Sequence, residues 1–456
     1  MITTIDLRGV RPSRDELLDM LPRPVVDITA AARAAQTLID DVRAHGSTAL
    51  LEQADRFDGG RPDAIRVPQA EIDDAVLALA PEVRAALVEA IDRVREATRA
   101  QVPPTRTTTL ADGATVVQRW APVGRVGLYV PGGKAVYPSS VVMNVVPAQE
   151  AGVGSVALAS PPQREFGGRV HPTILGAAGL LGVTEVYAMG GAGAIGAFAY
   201  GVPDAGLAAV DVVTGPGNIF VAAAKRLVKG QVGIDAEAGT TEILVIADDT
   251  ADARLVAADL VSQAEHDEAA ASLLVTDSAE LADAVEAWLL RYAAGTRHGA
   301  RVVEALGGPQ SAIVLVDDLD AAVAFSNAYG PEHLEVQTSD PESLLDTITN
   351  AGAIFLGNHT PVSLGDYLAG SNHVLPTGGQ ARFSSGLGAF TFLRPQQVIR
   401  YDEEALRQVS AHIVALSGSE DLPAHGEAVT ARFGLVAAEL DAAASASGAV
   451  DAEGGR

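Results

Sequence analysis

Nine histidines and no cysteine bound the chemistry open to this 456-residue chain. Disulfides, thiolate metal sites and cysteine nucleophiles are excluded together. A metal here would be held by nitrogen and oxygen alone, which suits Zn2+ in an open catalytic geometry, with Mn2+ or Co2+ as alternatives. Four histidines keep carboxylate company. His266 lies in DLVSQAEHDEAAASLLV, after Gln263; His333 lies in GPEHLE beside Glu332; His373 follows Asp366 in GDYLAGSNH; His425 follows Glu420 in EDLPAH. On a helix, Gln263 and His266 share a face and form half of a metal site, or else the same stretch is the solvated face of an acid-rich helix. Glu332–His333 offers a proton acceptor near neutral pH, or simply a helix start after Pro331 with an acid favoured by the dipole. His45, His171, His298, His359 and His412 sit in polar or mixed context that suits the surface.

Three glycine turns follow strand patterns. GAGAIG, from Gly191 to Gly196, opens a helix and has Asp211 about 20 residues on, as a dinucleotide fingerprint requires, yet Asp211 falls inside a strand pattern rather than at its end. The alternative is a tight strand-to-helix turn. TGPGN, from Thr214 to Asn218, precedes a helix whose unpaired N–H groups attract anions; Asn218 either caps that helix or bonds a ligand. YVPGG brings Tyr129, an aromatic able to stack on a flat ring, to another strand end. Three such turns in one sheet point to a ligand at its carboxyl edge.

The elements that must position these residues are legible as rhythm. Residues 13–101 read mostly as helix, and 105–121 as turns and β-branched residues. From 125 to 236, VGLYV, SVALAS, EVYAM and AAVDVVT alternate with helical patterns. From 242 to 356, EILVIAD, ASLLVTD, SAIVLVD and AGAIFLG do the same. Short apolar strands alternating with helices mean βαβ units and parallel sheets. The reading is an α/β chain of two incomplete Rossmann-like halves. It divides into an N-terminal mostly helical segment (1–121), a first α/β half on the cofactor side (122–236), a second with the metal and catalytic residues (237–382), a C-terminal helical tail (383–440) and a disordered end (441–456).

Composition narrows the partners. A formal charge of −26 repels nucleic acid and anionic lipid. All three lysines, Lys134, Lys225 and Lys229, fall in the first half, where a local basic patch suits a phosphorylated cofactor. The start lacks a secretory signal design, and the longest uncharged stretch, VYAMGGAGAIGAFAYGV, is too short and glycine-rich to span a bilayer. A soluble cytoplasmic protein is expected.

GLYVPGG, TGPGN, SQAEHD, GPEHLE, GDYLAGSNHVLPTGG, ARFSSGLG and EDLPAH, taken together and in this order, resemble the histidinol dehydrogenase family. That resemblance implies oxidation of L-histidinol to L-histidine with two NAD+, and a Zn2+ held by Gln263, His266, Asp366 and His425. It implies Glu332 and His333 as the catalytic pair. Substrate contacts would come from Thr241, where the family usually carries serine, from His373 and Glu420, and from the metal ligands and His333. Tyr129, Asn218 and position 193 match NAD contacts. It also implies a homodimer whose C-terminal tail completes the partner's site, so that Glu420 and His425 serve the neighbouring subunit. One departure stands out: the family reads glutamine where this chain has Gly193, so weaker or altered NAD binding is expected, and the middle glycine of GAGAIG is owed to that substitution.

The absent cysteine decides part of the mechanism. Hydride cannot leave a bare aldehyde to give an acid; an oxygen nucleophile must add first, and without a thiolate that nucleophile is water. The expectation is that His333 takes the hydroxyl proton in the first oxidation, and that Glu332 activates water and His333 assists in the second. The rival readings are an NAD-linked dehydrogenase acting on another amino alcohol or a sulfonate, and a non-enzymatic two-lobed ligand-binding protein.

Overall fold

The computed structural model describes residues 2–23, 28–132, 136–237 and 239–434. Lys134, Gly133 of the first glycine turn and the end expected to be disordered lie outside the described residues. In chain order the strands are β1 (Thr3–Asp6), β2 (Arg106–Ala111), β3 (Ala114–Pro122), β4 (Arg125–Tyr129), β5 (Ser155–Ser160), β6 (Val186–Ala188), β7 (Val212–Thr214), β8 (Gly233–Ile234), β9 (Glu242–Ala247), β10 (Ala271–Thr276), β11 (Ala312–Leu315), β12 (His333–Gln337), β13 (Ala353–Leu356) and β14 (Leu393–Tyr401).

Two parallel sheets carry the α/β architecture. The first runs β6-β5-β4-β7-β8 and the second β1-β11-β10-β9-β12-β13. Leaving β1 aside, the two halves repeat one winding: the chain enters at a central strand, winds to one side, then crosses back to the other. The point of reversal lies between β4 and β7 in the first sheet and between β9 and β12 in the second. Every residue of β9, β10, β11 and β12 is buried. That explains the near-continuous apolar runs: helices cover both faces, so there is no wet face to encode. The N-terminal segment is not separate from these halves. β1 pairs with β11, and the helices Ile28–His45 and Ser47–Gln53 pack on the core beside β4, β5 and β6.

The stretch read as turns near 105–121 is an antiparallel hairpin, β2–β3, in a small sheet with β14. It belongs to a second compact unit, Pro103–Ala121 with Arg394–Arg456; the two parallel sheets lie in the first, Met1–Val102 with Pro122–Leu393. The sequence suggested divisions at 121, 236 and 382 instead.

Two of the three glycines of GAGAIG, Gly193 and Gly196, sit in close packing, while Gly191 has φ +58 with open space at its Cβ position. The helix Gly191–Tyr200 lies so close to its neighbours that a Cβ on Gly193 would stand 2.1 Å from Gln53 Oε1, one on Gly196 3.2 Å from the Ile39 Cα, and one on Gly190 2.6 Å from the Asp58 carboxylate. Asp211 precedes β7 at the amino edge, where its carboxylate accepts from the N–H groups of Gly124 (2.8 Å) and Arg125 (2.9 Å). The glycine turn follows β6 at the carboxyl edge. Asp211 therefore cannot serve as a ribose-binding acid for that turn, and the strand-to-helix turn is the correct reading.

Two local expectations are corrected. The helix Ala253–Ala264 ends with Glu265 as its C-cap, so His266 lies beyond it and shares no helical face with Gln263. PEHLE starts no helix: His333 opens the buried strand β12. No helix among the described residues is long and apolar enough to cross a membrane.

Gly127, in central strand β4, is the tightest test of this packing. A Cβ there would fall 2.5–2.8 Å from three ring carbons of the fully buried Phe198. Gly127→Ala is expected to lower the unfolding free energy by about 1–3 kcal/mol, read as a drop in the denaturation midpoint, with partial recovery in Gly127→Ala/Phe198→Leu.

Candidate active site

The backbone of one residue holds the Glu332–His333 pair. Glu242, the first residue of β9, donates its N–H to Glu332 Oε2 at 2.9 Å, and its carbonyl oxygen accepts from His333 Nδ1 at 2.9 Å. A carbonyl only accepts, so Nδ1 carries the proton and Nε2 keeps its lone pair. Glu332 Oε2 also accepts from Thr241 Oγ1 at 2.6 Å, and Thr241 Oγ1 accepts from Gln263 Nε2 at 2.5 Å. The result is one line of donors from Gln263 through Thr241 to Glu332, with the amide oxygen of Gln263 left over. His333 Nδ1 stands 3.5 Å from Glu332 Oε2, and both side chains are buried.

Glu242 is itself anchored. Its buried carboxylate meets Arg23 Nε at 2.6 Å, and Arg23 Nη2 donates to the Tyr329 carbonyl at 2.6 Å. Burial pushes the Glu242 carboxyl up to about 6; Arg23 opposes this and the nearby Glu332 adds to it. On the same face of β12, Glu335 accepts from Gln337 Nε2 at 2.9 Å; burial pushes its carboxyl up, with nearby Asp259 adding to the rise, and burial pushes Asp259 up as well.

His373 joins the two halves. Its Nδ1 donates to the Asp366 carbonyl at 2.8 Å, so Nε2 accepts from Ser140 Oγ at 3.2 Å. Burial lowers the ring's basicity; Asp366 opposes that, while His333 and His266 act in the same direction as burial. Asp366, His333 and His266 therefore each lie within electrostatic reach of the His373 ring. Beyond Ser140 the line continues across the first half: Asn144 Nδ2 donates to the Ser140 carbonyl at 2.8 Å, and Thr214 Oγ1 donates to Asn144 Oδ1 at 2.7 Å.

Asn218 serves two readings at once. Its Oδ1 caps the helix Ile219–Val228, accepting from the N–H groups of Phe220 (3.0 Å) and Val221 (3.2 Å), while its Nδ2 is exposed and takes no part in the cap. Tyr129 is buried, with its hydroxyl accepting from the Gly191 N–H at 3.2 Å, so its ring is part of the core rather than an open stacking face. Burial pushes that phenol well above its ordinary value. Gly193 is buried, and the space its side chain would take is filled by Gln53, whose Nε2 donates to the Leu38 carbonyl. Glu420 and His425 belong to the second unit. Glu420 is the C-cap of the helix Glu403–Ser419, His425 stands in the first turn of the helix Pro423–Thr430, and both are exposed.

Sequence reading missed Glu242, Arg23, Ser140, Asn144 and the Asp259–Glu335 pair. A signal existed for two: an acid heads the apolar run EILVIA, and a lone asparagine interrupts VVMNVV. A polar residue in a fully buried run needs a partner.

The family model for histidinol dehydrogenase matches residues 21–433. The histidinol dehydrogenase of Leifsonia xyli subsp. xyli is 73% identical over 430 residues, covering 94% of this chain and 99% of that one. That of Thermobifida fusca is 59% identical over 433 residues, covering 95% and 98%. The crystal structure of histidinol dehydrogenase from Elizabethkingia anophelis superposes with a TM-score of 0.90 at 32% identity, covering 95% of this chain and 98% of that chain. With a full-length family match and the Glu332–His333 pair held as described, the chain belongs to the histidinol dehydrogenase family.

Proposed function

We propose that this chain oxidises L-histidinol to L-histidine in two NAD+-linked steps, as a Zn2+-dependent cytoplasmic homodimer. The carrying observation is the grip of Glu242 on both members of the Glu332–His333 pair, beside Gln263 and Thr241. It supports a proton acceptor and a water activator side by side, which the loss of four electrons from an alcohol without a cysteine requires.

The residues suit a zinc ion. The His266 ring and the Asp366 carboxylate make no hydrogen bond among the described residues, and Gln263 commits its N–H to Thr241. A ring nitrogen, a carboxylate and an amide oxygen are thus left with free lone pairs, a borderline-hard set that suits Zn2+. Among the described residues no three His, Asp or Glu side chains form a metal cluster. The proposed set agrees with that, since it takes only His266 and Asp366 of those types from this unit, with His425 contributed by the tail of a neighbouring subunit. For the dinucleotide, the support is the exits of β4 and β7 at the first sheet's reversal point, with Tyr129 behind and the free amide of Asn218 in front.

When bound, NAD+ supplies the hydride acceptor and Zn2+ a positive charge that fixes the amino alcohol. His333 Nε2, the ring nitrogen left over once Nδ1–H is committed to the Glu242 carbonyl, takes the hydroxyl proton as the carbinol hydrogen departs as hydride. The aldehyde must then be hydrated. Glu332 has Oε2 held by two donors, so Oε1 is the oxygen that draws a proton from water. As water adds, the imidazolium of His333 returns its proton to the aldehyde oxygen, which completes the hydrate and frees Nε2 to accept again when the hydrate loses hydride to the second NAD+. His373, Thr241 and Glu420 orient the substrate.

The direct assay is NADH release from L-histidinol, expected at two NADH per substrate, abolished by a chelator and restored by Zn2+. One NADH per substrate, or no turnover, overturns the reading. Glu332→Gln is expected to impair oxidation of the aldehyde more than that of the alcohol, and His333→Asn to impair both by roughly 10²–10⁴-fold. Equal losses on the two substrates in Glu332→Gln reject that division of labour. Because Gln53 fills the space at Gly193, the double variant Gly193→Gln/Gln53→Ala is expected to bind NADH several-fold tighter than Gln53→Ala alone; equal affinity in a fluorescence titration takes position 193 out of the cofactor site.

A further inference from the structure

The exits of β4 and β7 meet at Gly215. It has φ +117, open in practice only to glycine, and a Cβ there would lie 1.9 Å from the Tyr129 carbonyl oxygen. Its backbone is gripped on both sides. The Gly215 N–H donates to Asp235 Oδ2 at 2.9 Å, and its carbonyl accepts from Lys225 Nζ at 2.9 Å. Lys225 and the other carboxylate oxygen, Asp235 Oδ1, form an ion pair without hydrogen-bond alignment, at side-chain exposures of 2% and 5%. Lys225 rides on the helix that Asn218 caps, and Asp235 directly follows β8.

Nothing in the proposed chemistry uses this pair, and it is expensive to bury. Removing two charges from water costs several kcal/mol per ion, and apolar residues of similar volume are often as stable or more so. What an apolar pair cannot do is hold the N–H and the C=O of one strained glycine at once. We propose that Lys225 and Asp235 are positioning residues for the dinucleotide end of the site, holding Gly215 so that the exit of β4 at Tyr129 and the free amide of Asn218 keep their spacing. This rests on the reading that Tyr129 and Asn218 meet NAD. Neither charge touches the cofactor; both act through the Gly215 backbone.

The test uses the zinc-loaded full chain. Lys225→Met alone would strand a buried carboxylate, so the informative variant is Lys225→Met/Asp235→Asn, with Asp235→Asn as the conservative control that keeps an acceptor for the Gly215 N–H. The double variant is expected to raise the NADH dissociation constant in a fluorescence titration, and the KM for NAD+, by about tenfold or more, the scale on which supporting residues act on a bound group. Its KM for histidinol, bound zinc and kcat at saturating NAD+ should stay near the parent values, and Asp235→Asn should weaken NADH less. Unchanged NADH affinity in a folded double variant overturns the proposal, as does a uniform loss of kcat that tracks the fall in melting temperature. If the double variant does not fold, Asp235→Asn decides: weaker NADH binding at unchanged histidinol KM supports the proposal, and unchanged binding overturns it. Asn218→Gly, which costs the cap only a few tenths of a kcal/mol, separates the two layers. If it leaves NADH affinity intact, the cofactor-site reading itself fails. If it weakens NADH while the Lys225 and Asp235 variants do not, only the present inference falls.

Discussion

The site depends on the peptide groups flanking one residue, Glu242. The N–H fixes an acid and the C=O fixes a base, so the spacing of Glu332 and His333 is set by the pairing register of β9 and β12 rather than by side-chain rotamers. Register is a rigid coordinate of this buried parallel sheet, because slipping by one residue would force the close-packed side chains on both faces to repack at once. The Arg23 link to Glu242 and to the Tyr329 carbonyl ties that register to the start of the chain, which is why a segment far away in sequence belongs to the same unit.

The two halves share a winding but use opposite edges. In the first, Tyr129 and the TGPGN turn stand at the carboxyl ends of β4 and β7, the ordinary place for a ligand in an open α/β sheet. In the second, Glu242 and His333 stand at the amino ends of β9 and β12. The second half thus keeps the scaffold and moves the chemistry to the other edge. There the strands begin rather than end, and backbone groups are free to hold side chains.

Sequence alone carried the strand rhythm well, because β4, β5, β9, β10 and β11 are mostly buried apolar runs flanked by helical patterns. β12 was missed because its residues, HLEVQ, alternate polar with apolar, and a buried strand with three polar side chains imitates a turn or a helix start. Its polar residues are held by buried partners rather than by solvent, so the local pattern failed where long-range contacts overrode it. The glycines of GAGAIG left two readings open: their spacing matches a phosphate motif, while Gly193 and Gly196 serve close approach by Gln53 and Ile39, a long-range fact that no local window contains. Gln263 and His266 were paired by helical spacing, yet the helix stops between them. The grouping of His266, Asp366, His333 and His373 depends on contacts roughly a hundred residues apart in sequence, legible only through family resemblance.

The buried line from Thr214 through Asn144 and Ser140 to His373 has a direction. The Asn144 amide has its nitrogen toward a carbonyl that can only accept, so turning it over would set two buried acceptors face to face. The line therefore behaves as a gauge of fixed length between the strand that ends at Thr214 and the ring of His373. Surface loops of the two halves can lengthen or drift without changing that spacing, because it is measured through the interior.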